Sequence, residues 1–185
     1  MTPQNSNKNK TNDIVFIALF AVLIVVCSWI SIPSVVPFTM QTFAVYLTLN
    51  YLGAKRGTVS IFIYLCLGLI GAPVFSNFNS GIGALFGVTG GYMLGWLLSG
   101  LVMWLLEKLI GTKIWAQAIS MLAGLIVCYI VGTAWFMVVY ARNTGPIGIW
   151  SALLWCVIPF IIPDLLKLGL ALWISLRLKK ITKFV

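Results

Sequence analysis

Histidine is absent from the 185 residues, and only three carboxylates occur: Asp13, Glu107 and Asp164. A metal-ligand set or an acid–base catalytic pair is hard to assemble from so few groups, which argues against an enzyme. Charge is scarce altogether, at 8% of residues where a soluble domain carries about 25%, so a water-soluble fold could not cover itself. The phosphate-cradling pattern G-x-x-x-x-G-K-[ST] is missing. The cluster Gly81-x-Gly83-x-x-x-Gly87 misses the dinucleotide fingerprint by one residue and follows no strand, so the chain should neither bind nor hydrolyse ATP on its own. Cys27, Cys66, Cys128 and Cys156 lie inside apolar runs with no C-x-x-C spacing, and are read as packing residues rather than a disulfide framework. The net charge of +9 has too few acids around it to form the mixed, solvated face of a nucleic-acid binder.

What remains is apolar. Hydrophobic residues make up 61% of the chain, and a helix needs about 20 of them to cross a bilayer core of roughly 30 Å. Six segments qualify, at residues 14–32, 40–54, 57–74, 84–106, 114–141 and 149–178, the second of them short. Residues 1–13 are polar, carry Lys8 and Lys10, and read as a disordered cytoplasmic tail. The run after them is long for a signal-peptide core, and no small-x-small cleavage site follows it. No linker interrupts residues 14–185, which therefore form one transmembrane domain.

Charge orients these spans. With both termini cytoplasmic and all six segments crossing, Lys8, Lys10, Lys55, Arg56, Lys108, Lys113, Arg177, Lys179, Lys180 and Lys183 fall inside, which is ten of the twelve basic residues. Only Arg142 lies outside, and Lys167 lies within the membrane, as the positive-inside rule demands. Omitting the short segment would put one terminal basic cluster on the wrong side. The expected fold is an all-α integral membrane bundle of six helices. Two uncharged outer connections, 33–39 and 75–83, are then natural lids or pocket walls, since Gly and Pro keep them from being helical.

The last segment contains Pro163-Asp164-Leu165-Leu166-Lys167, an acid and a base three residues apart on one helix face. On a continuous helix Asp164 would lie about 21 Å from Trp150 and from Leu178, near mid-membrane. Insertion of each such residue costs about 2.5–3.5 kcal/mol. One reading has the two neutralise each other, or has Lys167 snorkel to the inner surface while Asp164 bonds a neighbouring helix. The other makes them the polar floor of a ligand pocket, with Pro159 and Pro163 loosening the helix. The second is preferred, because an intramembrane ionisable residue marks a site by default.

Asn79 offers one acceptor and two donors from the second outer connection, and is equally readable as a turn residue. Thr39 and Gln41, at the mouth of the second segment, read as pocket polars or as helix caps. Gly87, Gly91, Gly95 and Ser99 recur every fourth residue, as do Ser120, Gly124, Cys128 and Gly132, a spacing that favours close helix packing over ligand contact. Trp29, Trp115 and Trp150 fall near segment ends, as interfacial aromatics do, whereas Trp96, Trp135 and Trp155 lie deeper and are candidates to line a pocket.

The stretch Val36-Pro37-Phe38-Thr39-Met40-Gln41-Thr42-Phe43-Ala44-Val45 resembles a segment of the BioY family, the biotin-specific S components of energy-coupling-factor (ECF) transporters. Gly53-Ala54-Lys55-Arg56-Gly57 is similar to the family's cytoplasmic turn, and Gly71-Ala72-Pro73-Val74-Phe75 with Gly81-Ile82-Gly83 to its external loop. Thr89-Gly90-Gly91-Tyr92-Met93-Leu94-Gly95 is similar to the start of its fourth helix, and Pro163-Asp164-Leu165-Leu166-Lys167 to its last-helix signature. The resemblance implies a six-helix S component of a bacterial plasma membrane that captures biotin from outside. It implies no cofactor of its own, with a transmembrane coupling subunit and two ATPase subunits as partners beside the membrane lipids. The implied ligand contacts are Asn79, Asp164 and Lys167, with Thr39, Gln41 and Tyr92 around them. Biotin's ureido ring has one acceptor and two N–H donors, which suits Asp164 and Asn79, while Lys167 either holds Asp164 ionised or reaches the ligand's carboxylate. The first helix departs from the Ala-x-x-x-Ala pattern common in S components, since Ala18 is followed by Val22. Alternatives are an S component for another water-soluble vitamin and a membrane assembly protein without a transport role.

Overall fold

The computed structural model describes residues 3–32 and 36–182, with side chains from residue 11 onward. Helix α1 runs Pro3–Trp29. It includes most of the polar segment read from the sequence as a tail. The chain then folds back as a two-residue antiparallel ladder, β1 (Ser31–Ile32) against β2 (Phe38–Thr39). Residues 33–35 of the first outer connection, and Lys183, lie outside the described residues.

Helix α2 (Gln41–Leu52) is twelve residues long, about 18 Å at the helical rise, and every one of its residues is buried. Because other helices enclose it on all sides, it has no lipid-facing surface to keep apolar. It can therefore carry Gln41, Thr42, Thr48 and Asn50 inside the bundle. A single residue, Gly53 at φ 79°, reverses the chain into α3 (Ala54–Leu69), a left-handed conformation that glycine adopts without steric cost. The first backbone N–H of α3 donates to Glu107 at 3.0 Å, so one of the few acids caps this helix.

The second outer connection contains a single 3-10 turn, Ser76–Phe78. It is anchored by Phe75, fully buried edge-on to Tyr64 and filling the space left by the absent side chain of Gly68. The fourth expected segment splits into a short α4 (Gly81–Leu85) and α5 (Gly90–Ile110). Helix α6 (Ile114–Asn143) is unbroken. The sixth splits at Val157 into α7 (Ile149–Cys156) and α8 (Ile158–Thr182), so the continuous helix assumed for it is corrected. Pro159 has no N–H to give the carbonyl of Trp155, which is why the interruption falls there.

Among the described residues four stretches are long and apolar enough to cross a membrane: Thr11–Trp29, Gly90–Ile110, Ile114–Asn143 and Ile149–Thr182. Helices α2 and α3 fall short of that length. The most extensive packing is α5 along α6, with α2 seated between α8 and α3, and α1 against α3. The small-residue stripes explain the first of these. A side chain at Gly95 would come within 3.1 Å of the Cys128 backbone, and Ser99 Oγ reaches the carbonyl of Gly124 at 2.6 Å. Helix packing is thus what these stripes do.

Candidate ligand-binding site

Thr39, Gln41, Tyr92, Asp164 and Lys167 line one cavity, at the end of the bundle where residues 36–39 and Ser76 of the outer connections converge. Its walls use both interruptions of the helices. Thr89 stands just ahead of α5, and Cys156 is the last residue of α7. Breaking a helix exposes backbone and side chains to an interior space that a straight helix would fill.

The acid and base of α8 lie at its centre. Lys167 Nζ donates to Asp164 Oδ1 at 2.9 Å, and both side chains are under a tenth exposed. The second carboxylate oxygen accepts from the Tyr129 hydroxyl of α6 at 2.8 Å. Lys167 also donates to the Thr39 carbonyl at 2.7 Å and sits 4.1 Å over the Phe38 ring. Each charge thus meets an opposite charge and a hydrogen-bond partner, the condition under which burying an ion pair is tolerable. Lysine snorkelling, one of the readings considered for Lys167, does not occur: its ammonium is turned inward. Neutralisation and pocket lining are both realised, because the paired groups themselves form the cavity surface.

Thr39 and Gln41 both line the cavity, and neither is the N-cap of α2, which is Met40 and makes no side-chain cap bond. Thr39 Oγ1 accepts from the backbone N–H of Gln41 at 3.2 Å, and its carbonyl holds Lys167. The Gln41 amide donates to the Tyr64 hydroxyl. Tyr92 reaches Thr133 of α6 at 3.2 Å and the carbonyl of Cys156 at 3.5 Å, while the absent side chain of Gly132 leaves room for its ring.

Asn79 is not brought to the cavity. It is exposed on the second outer connection, where its backbone N–H bonds the Ser76 carbonyl and its own carbonyl accepts from Phe75. The positive φ angles of Asn77 and Phe78 turn the chain so that buried Ser76 faces the cavity instead. Of the three deeper tryptophans only Trp96 lines it. Trp135 donates to the Gly87 carbonyl, and Trp155 is 46% exposed. Trp29, Trp115 and Trp150 are exposed, as expected of interfacial rings.

Tyr129 and Phe38 were not legible as site residues. Tyr129 did carry a signal, since a hydroxyl in an otherwise apolar span needs a partner. Phe38 gave none, being one aromatic among many. The cavity is about 60 Å³, small beside the roughly 300 Å³ at the lower end of common ligand pockets. A guest of that size requires movement of the lining. Acid, base, amide and hydroxyls against Trp96, Met93 and Phe160 offer a guest both donors and acceptors beside an apolar wall.

Comparison with known proteins gives one consistent result. The sequence profile described as "BioY family" matches residues 2–184. A protein named biotin transporter BioY, from Thermotoga maritima, is 42% identical over 164 residues, covering 88% of this chain and 93% of that protein. A probable biotin transporter BioY from Pyrococcus horikoshii is 35% identical over 171 residues, covering 92% and 98%. The crystal structure of the S-component for biotin from an ECF-type ABC transporter superposes with a TM-score of 0.80 at 28% identity, covering 97% of this chain and 95% of that one.

Proposed function

This chain belongs to the BioY family, and on that premise we propose that it is the biotin-binding S component of an ATP-driven ECF importer. It is a multi-pass membrane protein and a transport subunit rather than an enzyme. The observation that carries the biotin reading is the buried Lys167–Asp164 pair on the wall of the cavity. The Asp164 carboxylate accepts from a ureido N–H through lone pairs left over by Lys167 on one oxygen and Tyr129 on the other. Gln41, Thr39 and Tyr92 surround the polar head. Asn79, three residues from cavity-lining Ser76, contacts the ligand as the outer connection folds over it.

The remaining parts follow from the same reading. All six segments cross a bacterial plasma membrane, the short α2 by lying inside the bundle, and both termini face the cytoplasm with most of the basic residues. The subunit has no cofactor of its own. A transmembrane coupling subunit and a pair of ATPases supply the energy.

Titration of the detergent-solubilised chain with biotin tests the proposal. Submicromolar binding is expected. Binding of a different water-soluble vitamin in its place would keep the architecture and reject biotin, and binding of no small molecule would favour a role outside transport.

A further inference from the structure

Helix α8 packs extensively on α2 but only sparsely on α6. Apolar grooves open beside α6 on both flanks of the Tyr129–Asp164 hydrogen bond, one against α7 and one against α8. One of about 340 Å³ lies between Ile130, Thr133 and Met137 of α6 and Leu153 and Val157 near the helix interruption. The other, about 160 Å³, lies lower, between Met121 and Leu122 of α6 and Leu165 and Leu168 of α8. These helices belong to membrane-crossing stretches, and Ile130, Leu122 and Leu165 are exposed, so the grooves face the bilayer. Among the described residues Tyr129 alone borders both the ligand cavity and the upper groove. Its hydroxyl also holds the one Asp164 oxygen that Lys167 does not.

We infer that Tyr129 is a positioning residue for biotin capture: its hydroxyl fixes the Asp164 carboxylate in ligand-accepting orientation, and its ring partitions the cavity from the bilayer-facing groove. A carboxylate held only by Lys167 turns about its Cβ–Cγ bond. With Tyr129 and Lys167 each on one oxygen, that rotation is stopped and the remaining lone pairs stay aimed at the cavity. The acceptor is then pre-organised, so less ordering cost falls on the ligand. The partition matters because a hydrogen bond to a charged acceptor is strong where neither water nor lipid competes for the space. This role rests on the biotin reading proposed above.

The test is a double-substitution cycle on biotin affinity, with the full chain in lipid nanodiscs. Tyr129→Phe keeps the ring and removes the hydroxyl. It should weaken binding about tenfold without lowering the thermal midpoint of the ligand-free protein by more than a few degrees. In an Asp164→Asn background, or Asp164→Glu if Asn falls below detection, the same change should cost less than about threefold, because the group it acts through is already altered. A tenfold loss that persists in that background, or no loss in the first place, would overturn the positioning role. Tyr129→Ala and Tyr129→Leu remove the ring as well, and should bind more weakly than Tyr129→Phe. Affinity equal to that of Tyr129→Phe would overturn the partition. Wild-type protein that binds no biotin would reject the functional reading and this inference with it, whereas binding wild type with additive substitutions rejects this inference alone.

Discussion

Removing one member of the Lys167–Asp164 pair and removing both are different experiments. Lys167→Met leaves a carboxylate buried with Tyr129 alone, and should destabilise the fold by roughly 3 kcal/mol, read as a lowered thermal midpoint. Asp164→Leu combined with Lys167→Met buries no charge, and should recover most of that stability while binding no biotin. If the double variant were as unstable as the single, something other than charge burial would be responsible. Asp164→Asn removes a charge-assisted acceptor with little change of shape. It should weaken biotin binding by more than about 1 kcal/mol with expression near normal. Unchanged affinity with poor folding would mean the pair serves only structure. The pair was legible because two charges three residues apart in an apolar span have few reasons to exist. Its partner Tyr129 was not, and Thr39 was legible as a pocket polar but not as the carbonyl that holds Lys167, because sequence spacing says nothing about which elements are neighbours.

At the scale of elements, the α5–α6 seam depends on backbone proximity. A methyl at Gly132 would enter the Tyr92 ring, whereas one at Gly169 meets nothing within 4 Å. Gly132→Ala should therefore lower stability by about 1–3 kcal/mol through overpacking and weaken ligand binding by shifting Tyr92. Gly169→Ala should leave both within error, as thermal melting and titration of the two variants side by side would show. The four-residue periodicity pointed to this seam correctly, since small residues at that spacing always lie on one helix face. The helix interruptions were harder to read. Pro159 and Pro163 both appear in the sequence, yet the chain breaks at Val157, ahead of Pro159, and carries Pro163 inside α8. A missing N–H can be absorbed within a helix when the surroundings hold it, so packing selects which proline interrupts. The Asn79 placement has the same origin. Two successive positive φ values re-aim its connection, and single-residue backbone choices of this kind leave little trace in residue type.

For the whole molecule, the placement of basic residues makes a topological prediction. A fluorescent protein fused at either terminus should fluoresce in cells. A membrane-impermeant thiol reagent should label a cysteine placed at exposed Asn79 from outside but not one placed at Lys55, in a background where the four native cysteines are replaced by serine or alanine. Labelling of both sites from one side would reject six crossings. Composition and charge by themselves determined that this is a membrane bundle with few catalytic options, because hydrophobic transfer and positive-inside bias act on runs of residues whatever their neighbours. Ordered motifs determined the family. Tertiary structure alone decided that twelve-residue α2 stands fully enclosed at the centre, and that Thr39, Tyr129 and Phe38 close around the Asp164–Lys167 pair. It also decided that Asn79 stands outside the cavity while Ser76 enters it. The physical reason is one of range: burial in lipid is read along the chain, whereas a binding site is made by side chains tens of residues apart, whose meeting depends on packing.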